Sequence, residues 1–137
     1  MLLEKVGIAL LMMFLSTMIH ALFMIGGSHA LDWRLARFGH PRGQFDKAVL
    51  VWALTIWMFF AIVIEVWLWA AVLIATGAVN GLEPAVYFSL VCFTTLGFGD
   101  ITLPQEWRLL SALIGANGFL MFGWSTAFMV ELIRKSR

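Results

Sequence analysis

Residues 84–94 read PAVYFSLVCFT, an apolar run flanked on both sides by much longer apolar runs. A helix of these 11 residues reaches only about 16 Å, against a hydrocarbon core of about 30 Å. It cannot cross a bilayer. Pro84 suits a first helical position, and Glu83 suits the positive end of a helix dipole. The run is therefore predicted to dip into the membrane as a half-length helix. It stops at TTLGFGD, residues 94–100. Irregular backbone at membrane depth survives only around water or ions, because peptide groups there find no other partners.

The neighbouring runs are long enough to span. Residues 48–78 carry Trp52, Trp57, Trp67, Trp69 and one acid, Glu65. They exceed a perpendicular crossing, so tilt or an overhang is expected. Residues 106–133 form a second span, and residues 6–27 a leading one. For the leading run a secretory signal is the alternative, since Ser28 and Ala30 mimic a small-x-small cleavage site. Signal cores usually hold about 7–15 apolar residues, and cleavage would strand a basic segment outside. With 62% hydrophobic residues, against about 45–50% in soluble domains, the chain is predicted to be an all-α membrane protein. Three transmembrane helices and one re-entrant helix are expected. The net charge of +1 gives no basis for a nucleic-acid partner, and the single Cys92 precludes an intrachain disulfide. Three histidines without thiol partners make a poor metal site.

Residues 28–47 are basic. Leu31, Leu35 and Phe38 recur at helical spacing while Asp32, Arg34 and Arg37 turn away from them. A short interfacial helix ending at Gly39 and Pro41 fits this pattern, and a basic loop fits it equally. Seven of the nine basic residues fall in two clusters: Arg34, Arg37, Arg42 and Lys47, then Arg134, Lys135 and Arg137. Both clusters face the cytoplasm under the positive-inside tendency. An even number of crossings must then separate them, which the spans 48–78 and 106–133 supply. A multi-pass cell-membrane protein results, with an extracytoplasmic N-terminus and a cytoplasmic C-terminus.

The heptamer resembles the selectivity filter of tetrameric potassium channels, whose common form is T-V-G-Y-G-D. The order of outer helix (48–78), pore helix (84–94), filter (95–100) and inner helix (106–133) is similar to their pore domain. This likeness covers residues 48–134 and leaves the first 47 aside. It implies a homotetramer in a lipid bilayer that conducts K⁺, needs no cofactor beyond the permeant ion, and is no enzyme. The physics suits the residue types. A potassium ion sheds its water only where other oxygens replace it. Directing successive carbonyls at one axis needs alternating backbone handedness, and glycine accepts positive φ cheaply. Gly97 and Gly99 sit two apart. One chain gives one oxygen per layer, so a cage takes four chains.

By this resemblance K⁺ is bound by the carbonyls of Thr95, Leu96, Gly97 and Phe98, with the Thr95 hydroxyl at the inner end and Gly99 completing the filter. Support is expected from Tyr87, Val91, Thr94 and Asp100, with Tyr87 as the hydroxyl that reaches Asp100. Val91 stands where some members carry a glutamate, so that contact should be missing. Leu96 replaces the commoner Val or Ile, and Phe98 replaces Tyr. A poorly selective monovalent cation channel is the near alternative, and a non-conducting membrane subunit of a larger complex is the alternative from another class. On the inner helix, alignment with the family puts a hinge glycine at Gly118. It puts cavity and gate residues at Phe119, Phe122, Thr126, Ala127 and Val130. Close helix packing is the competing role for Gly118. No helix carries regularly spaced arginines, so no voltage sensor is expected.

Glu65 stands deep in an apolar span, where an acid is costly without a partner. It lies about 13 residues below the outer end of its span, and His20 about 14 below the start of the leading one, so both are roughly 20 Å down. Asn117 lies about 11 residues down the inner helix. A buried polar cluster of His20, Glu65 and Asn117 is predicted to hold the leading helix to the pore domain. It acts either as a proton-sensitive latch or with Glu65 simply protonated and hydrogen-bonded.

Overall fold

A computed structural model of the chain describes residues 2–136; Arg137, counted above in the inner basic cluster, lies outside them. The described residues form four helices: α1 (Leu2–Phe38), α2 (Gln44–Ala75), α3 (Leu82–Phe93) and α4 (Arg108–Lys135). Three of these are long and apolar enough to cross a membrane, and α3 is not. The protein is an all-helical membrane protein.

The leading span and the basic segment are not separate elements. They form one rod of 37 residues, about 55 Å long, in place of the expected crossing over 6–27 followed by an interfacial helix or loop. Its end is where the sequence placed it: Gly39 adopts φ +74° and returns its amide to the Leu35 carbonyl at 2.9 Å. Such a left-handed glycine is a common helix stop. The outer helix begins at Gln44 rather than 48, so it starts inside the segment assigned to the leading unit. It ends at Ala75 rather than 78. Helix α3 begins two residues earlier than expected, which puts Pro84 at its third position, where a missing amide still costs no helical bond. The inner helix is shifted two residues toward the C-terminus at both ends.

Cross-helix pairs give the directions. Lys5 bonds the Glu106 carbonyl and Lys135 meets Asp32 at 2.5 Å, so α1 and α4 run parallel. His20 meets Glu65 and Phe23 meets Trp57, so α1 and α2 are antiparallel. The rod α1 packs on α2 and α4, and α3 is wedged between α2 and α4. One apolar core surrounds α3, with Trp69, Leu73, Phe93, Leu110 and Ile114 fully buried. A second core closes the opposite end through Leu31, Leu50, Leu54, Met58, Phe128 and Leu132. Between them, Gly26 and Gly27 let the Trp57 ring lie against α1, where its indole donates to the Phe23 carbonyl at 2.8 Å.

Candidate functional site

The turn after α3 is held by the helix it leaves. Thr94 caps α3, its amide and hydroxyl both bonding the Leu90 carbonyl at 2.9 and 2.7 Å. The Thr95 amide bonds the Cys92 carbonyl at 2.9 Å. Leu96 and Gly97 both donate to the Val91 carbonyl, at 3.0 and 3.3 Å. Val91 therefore supports the turn through its main chain, while its side chain is buried. These bonds use up carbonyls that the last helical turn would otherwise leave unpaired.

Beyond the cap the backbone alternates in hand. Thr95, Gly97 and Gly99 have φ of +60°, +60° and +77°, with Leu96 and Phe98 on the ordinary side between them. A left-handed threonine costs about 1–2 kcal/mol, so the surroundings must hold Thr95 there. Alternation of this kind turns successive carbonyls toward one side instead of the strand's two. Leu96 and Phe98 are 60% and 67% exposed, so within one chain nothing covers the side chains of the turn.

At its outer end, Tyr87 Oη donates to Asp100 Oδ2 at 2.6 Å. Mainly through this hydrogen bond, the Asp100 carboxyl is held below the usual carboxylate range. Phe88, Val91, Gly97, Gly99, Arg108 and Ser111 border a cleft of about 270 Å³ behind the turn.

The inner helix shows three faces. Ile114, Asn117, Gly118, Met121, Ser125, Phe128 and Leu132 are buried. Phe119, Thr126 and Val130 fall on one exposed stripe, with Phe119 at 70% and Val130 at 62%. Phe122 instead sets its ring edge-on to Phe93 at 6.0 Å, and Ala127 edges an apolar groove against Ala21 and Ile25 of α1. Gly118 is a packing position. A Cβ there would overlap the Phe93 carbonyl oxygen and stand 2.7 Å from its carbon. Its missing side chain is what lets the end of α3 rest on α4.

His20, Glu65 and Asn117 are all fully enclosed. His20 Nδ1 and Glu65 Oε1 are 3.1 Å apart. Asn117 is not bonded to either. It donates to Ser16 at 2.8 Å, one α1 turn above His20, while His20 Nε2 meets Ser125 at 3.1 Å. The cluster is thus two rungs joining α1 to α4, with α2 attached through Glu65. Ser16 and Ser125 escaped the sequence reading. Both stand at helical repeats of residues already chosen, Ser16 four before His20 and Ser125 eight after Asn117, and that periodicity was the available signal.

Compared with known proteins, residues 47–135 match a family model described as "Ion channel". No curated protein and no solved structure matches the chain at a significant level.

Proposed function

The chain belongs to this ion-channel family, and from that premise we propose that it conducts K⁺ selectively and passively as a homotetramer. The observation that carries this reading is the alternating backbone of Thr95, Gly97 and Gly99 at the end of a helix too short to cross. Four such turns around one axis would stack rings of carbonyl oxygens from Thr95, Leu96, Gly97 and Phe98, which replace the hydration shell of a desolvated monovalent cation. The pore-helix C-termini carry partial negative charge toward the same axis. The exposed stripe of Phe119, Thr126 and Val130 would line the cavity below. The parallel course of α1 and α4, with α2 antiparallel, is consistent with an extracytoplasmic N-terminus and a cytoplasmic C-terminus in the cell membrane.

The test is ion flux from the purified protein in liposomes. Flux of K⁺ that Ba²⁺ blocks, with a K⁺ over Na⁺ preference in bi-ionic reversal potentials, is expected. Equal permeability would establish instead a poorly selective channel, and no flux a non-conducting subunit.

A further inference from the structure

At the end of the molecule away from α3, α1 and α2 part to leave a cleft of about 230 Å³. Its walls are Leu31, Leu50, Ala53, Leu54 and Trp57, and its one charged group is Arg34. Arg34 Nη1 is buried and finds no hydrogen-bond acceptor among the described residues. The nearest acid on its own helix, Asp32, is taken by Lys135 at 2.5 Å. A buried guanidinium N–H without an acceptor is costly.

Depth narrows what could satisfy it. His20 is the midpoint of α1 and pairs with Glu65. From that level Trp57 lies about 12 Å and Leu50 about 22 Å along α2, and Arg34 about 21 Å along α1. With that level roughly 20 Å below the outer face, about 10 Å of a roughly 30 Å hydrocarbon core remains beneath it. The cleft therefore begins at the inner edge of the acyl chains and finishes at headgroup level, with its cation at the headgroup end. Arg37 is one turn beyond Arg34 and Lys47 one turn beyond Leu50, and both are exposed. They extend the rim outward from the bilayer, where Asp46 beside Lys47 offsets one of the two charges and Arg37 adds to Arg34.

We propose that this cleft is a binding site for an anionic phospholipid, with an acyl chain against Leu50, Leu54 and Trp57 and the headgroup phosphate on Arg34. A phosphate oxygen supplies the acceptor that Nη1 lacks, and the planar guanidinium fork suits phosphate geometry. Free phosphate would leave the apolar trough unused, and a zwitterionic lipid would leave the cationic rim uncompensated. The site depends on the α1 rod and not on which cation the channel passes.

Native mass spectrometry of the full chain, with phosphatidylglycerol and phosphatidylcholine of identical acyl chains, tests this. Wild type is expected to bind phosphatidylglycerol at least about ten-fold more tightly, as a charge-assisted hydrogen bond supplies. Arg34→Gln should bring the two lipids level, and Arg34→Lys, keeping charge without the fork, should fall between. Ala53→Trp fills the trough and should weaken both lipids while Arg34 remains. An unchanged preference in Arg34→Gln overturns the proposal. So does inorganic phosphate that binds wild type and Ala53→Trp alike, which identifies a free-anion site. Loss of the oligomer in the same spectra of Ala53→Trp, with lipid still bound, would mark the cleft as a contact between copies and also refute it.

Discussion

The seat of Phe93 on Gly118 makes the sharpest prediction. In Gly118→Ala the new methyl would overlap the Phe93 carbonyl oxygen and lie 2.7 Å from its carbon and 2.9 Å from its Cα. Carbon pairs prefer about 3.5–4.0 Å, so α3 must retreat by roughly 1 Å. The obstacle is main chain, which cannot swing aside as a side chain can. Overpacking of this sort costs about 1–3 kcal/mol, and alanine returns about 1 kcal/mol of helix propensity. The net expectation is a loss of up to about 2 kcal/mol. Function should suffer more than stability, because the displaced end of α3 carries the Val91 carbonyl that positions Leu96 and Gly97.

Two other glycines in α4 calibrate the effect. A Cβ at Gly115 would sit 3.3 Å from the Cys92 carbonyl, and one at Gly123 meets nothing within 4 Å. Thermal unfolding in detergent should therefore rank the variants Gly118→Ala below Gly115→Ala below Gly123→Ala, with the last at or above wild type. Liposome flux should fall in the same order. A hinge gives another pattern: Gly118→Ala would then change open probability with the unfolding temperature intact. Wild-type stability and wild-type flux together in Gly118→Ala would refute the packing argument.

The remaining expectations concern polar contacts. Tyr87→Phe removes the 2.6 Å bond to Asp100, and K⁺ over Na⁺ preference in reversal potentials should drop. The Asp100 carboxyl is held below its ordinary value of about 3.9 by that bond. Its stabilisation is thus present above that value and is lost as pH falls through the depressed one. Wild-type flux should hold from neutrality down to mildly acidic pH, and Tyr87→Phe should move the acid-side loss upward. His20→Ala strands Glu65 in a closed site, costing about 3–5 kcal/mol if the pair is ionic and about 0.6–2 kcal/mol if it is a neutral hydrogen bond. Unfolding of His20→Ala and Glu65→Gln distinguishes the two, and a latch further requires both variants to flatten the pH dependence of flux. By contrast Asp32→Asn, which breaks an exposed pair with Lys135, should change stability by less than about 1 kcal/mol.

Which of these contacts could be read from residues alone follows from what determines each. The half-length helix was legible because crossing a bilayer is a matter of residue count. His20 and Glu65 were legible because two antiparallel spans put equal depths side by side, and a buried acid needs a partner. Tyr87 was singled out by its hydroxyl and by the place the resemblance gave it. The unbroken rod of α1 was hidden by its composition. The change from apolar to basic near residue 28 marks a change of surroundings, not the end of the helix, and Gly26 and Gly27 sit inside the rod, as membrane helices tolerate. Other features were hidden because main chain, not side chain, determines them. The Val91 carbonyl carries two turn amides, and valine advertises nothing of this. Thr95 takes a left-handed conformation that its residue type disfavours, because the Cys92 carbonyl and the alternation through Gly97 and Gly99 demand it. Gly118 reads as hinge or packing until the Phe93 carbonyl is seen against it. All three meet at the junction of α3, the turn and α4. That junction is where a substitution of one methyl group should be felt most, and where the glycine series above probes it.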